Sequence, residues 1–276
     1  MPMMKKVRAK KSLGQHFLTD LSVARRIAAT LDGQQCRPTL EVGPGMGVLT
    51  QYLLEQGHNL QVVELDSESV DYLRVQFPQL DGRIIADDFL RLDLREIAHG
   101  EPINIIGNYP YNISSQIFFK VLDNRDLVPC CTGMVQREVA LRIAAPAGGR
   151  TRGILSVLLQ AWYDIEYLFT VDEHVFNPPP KVKSGVIRLT RNDVTHLGCD
   201  ERLMRNVVKT AFGQRRKMLR SSLKGLLPPN DPLLAMPLMT QRPEQLTVSD
   251  FVDLTNHIAQ ARAHNTIINP TNDNAS

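Results

Sequence analysis

The chain has 276 residues, of which 43% are hydrophobic and 22% are charged, and its formal net charge is +3 at pH 7. This composition is typical of a globular protein, and no apolar run approaches the roughly 18 residues that a membrane-spanning helix needs. The basic start of the chain has no apolar signal core, because residues 12–16 interrupt it. A cytoplasmic location is therefore expected.

The four cysteines, Cys36, Cys130, Cys131 and Cys199, predict neither a disulfide framework nor a zinc site, because no C-x-x-C pair is present. Cys130 and Cys131 are expected to be buried thiols at the start of a strand, since free cysteine usually behaves as a small hydrophobic residue. No metal is expected.

The basic residues are concentrated in two segments. Residues 1–12 hold five lysines and arginines, residues 202–224 hold eight, and neither segment contains an acid. Elsewhere acidic residues outnumber basic ones. A basic tail alone is equally compatible with a flexible, solvated segment. Two separate cationic patches favour a polyanion held at defined places, since each neutralised phosphate releases counterions.

Apolar periodicity predicts helices alternating with strands over the first 190 residues. A helix over 20–31, capped by Asp20 or Ser22, comes first. Strands follow at 39–42, 60–65, 83–86, 103–106, around 134–135, 165–171 and 186–190. Helices are predicted at 48–55, 69–77 (capped by Ser67 or Ser69), 114–122 and 138–145, and residues 154–162 form a helix or a buried strand. This order predicts an α/β fold with a doubly wound, mostly parallel seven-stranded sheet and a hairpin at one edge.

After Arg191 the pattern contains helices only, over 200–224 and 249–262, separated by a proline-rich stretch. The sequence therefore predicts two domains. Residues 1–195 form the α/β domain with a basic N-terminal tail, and residues 196–276 form a small all-α domain. The polar last dozen residues are expected to be disordered.

A glycine-rich loop, Glu41-Val42-Gly43-Pro44-Gly45-Met46-Gly47, follows the first strand of the sheet. Ligands in such folds bind beyond the carboxyl ends of the strands, where glycines let the backbone approach them. Glu64 lies 21 residues after Gly43 and can accept hydrogen bonds from both hydroxyls of a ribose. Asp88, after the third strand, can accept one from an adenine amino group, whereas Asp87 could instead cap a turn.

Two details favour S-adenosylmethionine over a nicotinamide dinucleotide at this loop. The dinucleotide pattern is G-x-G-x-x-G, whereas here Val48 stands in place of its third glycine. In addition, the carboxylate of Glu41 would repel a pyrophosphate, but it suits the cationic end of S-adenosylmethionine.

The fourth strand leads into Asn108-Tyr109-Pro110-Tyr111. The exocyclic nitrogen of adenine is a poor nucleophile because its lone pair is conjugated into the ring. An Asn side-chain oxygen and the next backbone carbonyl can bond its two hydrogens and localise that lone pair, if a proline fixes their geometry. The aromatic residue after the proline can stack on the base. The tetrapeptide therefore predicts methylation of an adenine amino group.

Six motifs in one order resemble the small-subunit ribosomal RNA adenine dimethyltransferase family over essentially the whole chain. They are residues 14–18 (GQHFL), 41–45 (EVGPG), 63–66 (VELD), 107–114 (GNYPYNIS), 175–182 (VFNPPPKV) and 211–217 (AFGQRRK). The resemblance implies a class I methyltransferase fold and S-adenosylmethionine as cofactor. It implies dimethylation of two adjacent adenines in a hairpin loop near the 3′ end of small-subunit (16S) rRNA, within an immature 30S-type particle. The enzyme is expected to be a monomer.

Carried over residue by residue, the resemblance assigns cofactor contacts to His16, Leu18, Gly43, Gly45, Glu64, Asp88 and Asn108. The catalytic set is Asn108, Tyr109, Pro110, Tyr111 and Phe176, with Tyr111 and Phe176 enclosing the target base. A helix bearing Arg215, Arg216, Lys217 and Arg220 would bind rRNA backbone, although Gly213 favours a break in it. The chain departs from the family at His16, where Asn is frequent, and at Tyr109, where Leu is usual. Only a backbone carbonyl is required of residue 109.

Three rival interpretations remain at this stage. The related enzyme that methylates large-subunit rRNA shares the fold and the tetrapeptide. A DNA adenine methyltransferase would need a separate target-recognition segment, and none is evident. A non-catalytic RNA-binding assembly factor, or a transcription factor derived from the fold, would not need the intact cofactor loop and tetrapeptide.

Overall fold

The computed structural model describes residues 7–268, and its contacts divide the chain into two compact units. Unit 1 comprises Met1–Ala144 and Tyr163–Asn192, and unit 2 comprises Ala145–Trp162 and Asp193–Ser276. The single cut predicted at 195/196 thus differs from the observed division, because residues 145–162 belong with the C-terminal helices. Two segments lie outside the described part of the chain. They are residues 1–6, which are the first half of the basic tail, and residues 269–276.

Unit 1 contains the predicted seven-stranded sheet and a small two-stranded one. The strands are β1 (Phe17–Leu18), β2 (Thr39–Val42), β3 (Leu60–Val63), β4 (Ile84–Ile85), β5 (Asn104–Asn108), β6 (Cys130–Gln136), β7 (Tyr163–Val171), β8 (Phe176–Asn177) and β9 (Ser184–Arg191). The large sheet has the order β4-β3-β2-β5-β6-β9-β7. Its first five strands are parallel, and β9 is antiparallel to both neighbours. The mostly parallel sheet with an edge hairpin is confirmed. β1 pairs with β8.

The helices of unit 1 connect these strands. They are α1 (Leu21–Ala28), α2 (Thr50–Glu55), α3 (Ser67–Gln76), α4 (Leu94–Ile97), α5 (Ser114–Asp123) and α6 (Arg137–Ile143), with short 3-10 turns at 11–13, 29–31, 78–80 and 173–175. Asp20 caps α1, as expected. The cap of α3 is Asp66, whose carboxylate accepts from the backbone N–H of Glu68, rather than Ser67 or Ser69. The four-residue α4 was not predicted, because it is too short to show periodicity.

The central strands are buried on both faces, which explains their continuous apolar runs. All four residues of β2 and the first six of β6 are buried. The thiols of Cys130 and Cys131 lie in β6, as predicted, and burial raises their pKa values to about 11 and about 12. Both therefore remain protonated and unreactive at neutral pH.

Unit 2 contains four α-helices in the described residues: α7 (Ile154–Gln160), α8 (Glu201–Gly213), α9 (Leu219–Ser222) and α10 (Val248–Ile268), with 3-10 turns within 224–245. Residues 154–160 are thus a helix, and the predicted long helix over 200–224 breaks at Gly213. α10 continues to Ile268, so the first four of the last dozen residues are helical rather than disordered. In the described part of the chain, no helix has the length and apolarity to cross a membrane.

The core of unit 2 follows from the spacing of apolar residues on α8. Asp200 caps this helix, and Met204, Val207, Val208 and Ala211 are buried. These four residues follow the spacing i, i+3, i+4, i+7, which places them on one face of the helix. α8 contacts both α7 and α10, which explains why the 145–162 segment belongs to this unit.

Two glycine substitutions, one in β6 of unit 1 and one at the end of α8, test how closely the surrounding atoms are packed. A Cβ at Gly133 in β6 would meet the carbonyl oxygen of Gly107 and lie 2.6 Å from Cε2 of Tyr109. We expect Gly133→Ala to lower the free energy of unfolding by about 3 kcal/mol, because a backbone atom cannot move aside cheaply. Chemical denaturation would measure the change. Gly213→Ala is the matched control, since a Cβ there meets nothing within 4 Å. It should be neutral or stabilising by up to about 1 kcal/mol, and equal losses would contradict the packing argument.

Candidate active site

A cavity of about 170 Å³ lies at the carboxyl ends of β2, β3 and β5. Its wall is formed by residues 13–18, 41–46, 48–49, 63–65, 87–90 and 108–113, with Ile27. The structure therefore brings together every predicted cofactor residue and the whole tetrapeptide, which are far apart in sequence. Phe176 is not part of the wall.

The glycines of the cofactor loop are required for different reasons. Gly43, Gly45 and Gly47 all have positive φ angles of 69°, 57° and 75°, a conformation that favours glycine. A Cβ at Gly45 would also lie 3.0 Å from Cε1 of Phe17, and one at Gly47 would overlap the ring of Phe77. Close approach of the backbone to a ligand is thus only part of the explanation. The loop also packs tightly against neighbouring aromatic rings.

The carboxylate of Glu64 joins the end of β3 to the cofactor loop. One oxygen accepts the backbone N–H of Gly45 and the other that of Asp66, each at 2.9 Å. Burial raises the pKa of Glu64, and these two hydrogen bonds act against that rise. Each carboxylate oxygen has a further lone pair. Both can therefore accept hydrogen bonds from vicinal hydroxyl groups of a ligand.

Glu41 is a second buried acid in the cavity wall. Its carboxyl group accepts a hydrogen bond from Oγ1 of Thr50 at 2.7 Å. Burial raises its pKa to about 8, the Thr50 bond lowers it, and the charge of Glu64 raises it further. A buried acid of this kind is stabilised as a carboxylate when a cation is placed beside it. The cavity therefore has a position suited to a positively charged ligand group.

Asp88 lies at the opposite part of the wall, in the loop after β4. One carboxylate oxygen accepts the backbone N–H of Leu90 at 2.9 Å, and the other lies 3.8 Å from Nε of Arg91. Asp87 accepts the N–H of Asp88 at 2.6 Å, whereas the bond from the N–H of Leu90 makes Asp88 the residue that caps this turn. Lys120 of α5 holds this loop by donating to the carbonyls of Leu90, at 3.1 Å, and Leu92.

Asn108, the last residue of β5, has a defined amide orientation. Its Nδ2 lies 3.1 Å from the backbone carbonyl oxygen of His16. A carbonyl oxygen accepts but cannot donate, so the NH₂ group must face it. The side-chain Oδ1 is consequently left as the acceptor of this amide. The orientation needed to bond an amino group is thus set by a main-chain atom of a distant segment.

The side chain of Tyr109 is buried in the core, with the residue only 1% exposed. Its hydroxyl donates to the carbonyl of Thr132 at 2.7 Å and contacts Sγ of Cys131 at 3.3 Å. Burial raises its pKa well above the usual value. Gly107 and Gly133 make room for the ring, since a Cβ on either would lie within 3 Å of it. The structure is consistent with the expectation that only the backbone carbonyl of residue 109 is required.

Tyr111 and His16 contact each other at the entrance formed by the tetrapeptide. Their ring centroids are 5.4 Å apart with an interplanar angle of 32°. Nδ1 of His16 lies 2.8 Å from the carbonyl oxygen of Pro178, and the hydroxyl of Tyr111 lies 2.6 Å from Oγ of Ser184. Burial raises the pKa of Tyr111, so its ring is neutral at physiological pH.

Phe176, which the resemblance assigns to the target base, lies outside the cavity wall and in a core cluster. Its side chain is only 4% exposed and lies in the hydrophobic core of unit 1. It belongs to β8, where it pairs with Leu18 of β1. Phe176 is packed among apolar residues in this structure, and its predicted contact with the target base stays a prediction.

The segment before β1, which contains the predicted contact His16, closes one side of the cavity, and its attachment to Asp66 was not indicated by the sequence. Lys10 forms an ion pair with the buried carboxylate of Asp66, and Nε2 of Gln15 lies 3.4 Å from its other oxygen. These bonds lower the pKa of Asp66 against the effect of burial. An Asp directly before a helix signals a cap, but its link to a lysine 56 residues away leaves no local signal.

The predicted RNA-binding residues lie in unit 2, in and after the turn that follows α8. Arg215 donates to the carbonyl of Arg150 and lies 3.9 Å from Oε2 of Glu244, so it is half-buried and stabilises its own unit. Arg216, Lys217 and Arg220 are exposed, and none has an ion-pair partner among the described residues. The helix predicted over 200–224 ends at Gly213, where the sequence had left a break open.

Solved structures of similar fold identify the class of protein. A dimethyladenosine transferase from Plasmodium falciparum superposes with a TM-score of 0.75 over 90% of this chain and 98% of that one, at 22% identity. The 23S rRNA methyltransferase ErmE gives 0.64 over 86% and 99%, at 26% identity. Unit 1 therefore has the Rossmann-like fold of class I methyltransferases, as predicted.

The sequence comparisons identify the family. The model of the ribosomal RNA adenine dimethylase family matches residues 6–260. Proteins named ribosomal RNA small subunit methyltransferase A are 64% identical in Parabacteroides distasonis, over 91% of this chain and 94% of that protein, and 60% identical in Bacteroides thetaiotaomicron, over 94% and 97%. The chain belongs to the ribosomal RNA adenine dimethylase family, which makes it an rRNA adenine dimethyltransferase.

The raised pKa of Glu41 gives a testable pH dependence. Glu41 is protonated in the folded chain up to a pKa of about 8, whereas in the unfolded chain it ionises near 4.5. Between these values the folded state binds more protons, so stability falls as pH rises, by up to about 1.4 kcal/mol per pH unit. We expect Glu41→Gln, which stays neutral, to remove this component. Denaturant unfolding at pH 5.5 and 8 would measure it, and an unchanged slope in the variant would contradict the assignment.

Proposed function

We propose that this protein transfers methyl groups from S-adenosylmethionine to the N6 amino groups of two adjacent adenosines. The target is a hairpin loop near the 3′ end of small-subunit (16S) rRNA, and each adenosine receives two methyl groups. The enzyme acts in the cytoplasm as a monomer, late in assembly, on an immature 30S-type particle. The observation that carries the proposal is the amide orientation of Asn108.

The residues of the cavity fit S-adenosylmethionine. The loop leaves space at Gly43, where a side chain would otherwise stand, Glu64 has free lone pairs for ribose hydroxyls, and Glu41 suits a cationic group. Asp88 retains acceptor capacity for an adenine amino group. When bound, the cofactor supplies an electrophilic methyl group. The protein holds it in position and keeps water away.

Asn108 and Tyr109 supply the acceptor chemistry. Oδ1 of Asn108 and the backbone carbonyl of Tyr109 each accept a hydrogen bond from the amino group at adenine N6. These two bonds localise the lone pair of the nitrogen. Both acceptors are rigid, because the Asn108 amide is held by His16 and the ring of Tyr109 is locked in the core. Alignment of this kind can lower a reaction barrier by roughly 7–11 kcal/mol. The N–C bond forms as the C–S bond of the cofactor breaks, and the positively charged nitrogen then releases one proton to solvent, so no general base is needed for the transfer itself.

The identity of the RNA is inferred from the relatives and from the chemistry. The similar proteins named for the small subunit are 60–64% identical, whereas the 23S rRNA enzyme ErmE is 26% identical. This difference favours the small-subunit substrate over the large-subunit alternative. An adenine must leave its stack to reach the cavity, which favours a loop over a duplex. The complete acceptor geometry at Asn108 argues against a purely non-catalytic assembly factor.

The decisive experiment is methyl transfer to small subunits that lack the modification. The protein is incubated with labelled S-adenosylmethionine and these particles, and the rRNA nucleosides are then separated. We expect N6,N6-dimethyladenosine in the small-subunit rRNA and none when large subunits are supplied. Absence of this product, with cofactor binding demonstrated by calorimetry, would overturn the proposal.

Asn108→Ala gives the matched test of the acceptor. The variant should lose transfer by at least about a thousandfold, because both the acceptor and its alignment are removed, while the cofactor dissociation constant changes by less than about tenfold. Asn104→Ala alters an amide at the opposite end of the same strand, hydrogen-bonded to Gln34, and should retain transfer. Substantial activity in Asn108→Ala would mean that the acceptor has been misassigned.

The exposed cations of unit 2 give a prediction about salt. Replacing Arg216, Lys217 and Arg220 with Gln should weaken particle binding and flatten its dependence on salt, with the log–log slope reduced by about two. Arg74, Arg83 and Arg95 are exposed cations of unit 1, and their replacement by Gln is the charge-matched control. Kd values between about 50 and 200 mM salt would decide the matter. The same slope in both variants would exclude a phosphate contact by the unit 2 turn.

A further inference from the structure

Tyr111 is held at three points, by Ser114, Ser184 and His16. Of these, Ser114 and Ser184 have no role assigned above. Its carbonyl accepts the hydroxyl of Ser114 at 3.1 Å, its own hydroxyl bonds Oγ of Ser184 at 2.6 Å, and its ring lies against His16. A surface tyrosine normally keeps freedom about both side-chain torsions. Here the backbone, the ring and the far end of the side chain are all fixed, which indicates that the plane of the ring matters.

Ser184 is a rigid support for the hydroxyl of Tyr111. It is the first residue of β9, it is fully buried, and it lies in register with both Gln136 of β6 and Val171 of β7. A hydroxyl held between two strands cannot follow a moving ring. The short Tyr111–Ser184 bond therefore anchors the ring to the sheet, 73 residues away in sequence.

His16 supports the same ring from another direction. Its Nδ1 bonds the carbonyl oxygen of Pro178, and its own carbonyl accepts Nδ2 of Asn108. The imidazole is thus tied to the loop after β8, while its backbone sets the acceptor amide. With a ring packed on one face, Tyr111 presents its other face to a ligand.

The support is consequential because a base stacked on Tyr111 takes its orientation from the plane of that ring. Loss of the anchor would let the ring tilt, and the N6 atom would move relative to Oδ1 of Asn108. Small displacements of this kind are costly, because alignment provides much of the rate.

We propose that Ser184 and His16 are positioning residues that fix the plane of Tyr111, on which the acceptor adenine stacks. The inference rests on the proposed function, since it assigns the stacked group as the target base. Neither residue touches the reacting atoms in this account. Ser184 acts through the Tyr111 hydroxyl, and His16 acts through the Tyr111 ring and the Asn108 amide.

A double-mutant cycle tests the anchor. Tyr111→Phe and Ser184→Ala each remove one side of the same hydrogen bond and leave the stacking ring in place. Each should lower kcat for methyl transfer about fivefold to tenfold, the range that one hydrogen bond supports. The KM for the particle and the cofactor Kd should stay within about twofold. The double variant should be no slower than either single one, because the bond is already lost.

Tyr167→Phe is the matched control for the loss of a tyrosine hydroxyl. Its hydroxyl also bonds a side-chain hydroxyl at 2.6 Å, that of Thr170, but on exposed β7 and outside the cavity wall. This variant should retain the full kcat. If Ser184→Ala does not fold, Tyr111→Phe alone decides, since it removes only an oxygen from a half-buried ring. An unchanged kcat in Tyr111→Phe would overturn the anchor.

The variants His16→Ala and Tyr111→Ala test whether a lower kcat comes from loss of the two supports or from a general loss of structure. In the Tyr111→Ala background there is no ring to orient, so Ser184→Ala should cause no further loss of kcat. His16→Ala should lower kcat about as much as Ser184→Ala, because it removes the ring packed on Tyr111 and the bond to the Pro178 carbonyl but keeps the backbone carbonyl that holds Asn108, while thermal unfolding stays within a few degrees. Additive losses in the cycle would contradict the proposal. Failure of the wild-type protein to form dimethyladenosine would instead contradict the proposed function.

Discussion

The cavity depends on the two hydrogen bonds that the carboxylate of Glu64 accepts from the main chain. A buried carboxylate is costly unless its oxygens are hydrogen-bonded, and here both bonds come from the main chain, from Gly45 and Asp66. One bond fixes the glycine loop relative to β3, and the other fixes the start of α3. Because Asp66 in turn binds Lys10 and Gln15, the same network extends to the segment before β1. Three chain segments are thereby held around one ionisable group.

A second constraint operates where β5 ends. The Tyr109 ring fits only because Gly107 and Gly133 lack side chains, and its hydroxyl is bonded to the next strand. A tyrosine in place of the leucine that is usual in the family adds a polar atom to the core. The bond to the Thr132 carbonyl satisfies that atom. The result is a backbone carbonyl at residue 109 that cannot rotate, which is the property the acceptor site needs.

The sequence predicted the sheet and most of the cavity for identifiable reasons. Strands buried on both faces leave continuous apolar runs, and loops at their carboxyl ends must meet at one edge of a parallel sheet. Contacts made across long separations left no such signal. The burial of Phe176, the Arg215–Glu244 pair and the place of residues 145–162 in unit 2 each depend on a partner distant in sequence. A residue type and its neighbours along the chain do not specify such partners.

The segment around residues 10–18 links the two chemical halves of the site. Through Lys10 and Gln15 it binds Asp66, on the side of the predicted cofactor contacts, and through His16 it holds Asn108, on the acceptor side. An amide without a partner rotates freely, and its oxygen and nitrogen then exchange places at little cost. The carbonyl of His16, 92 residues before Asn108, removes that freedom. The motif at residues 14–18 therefore belongs to the proposed methyl-transfer site, although it precedes every strand of the large sheet.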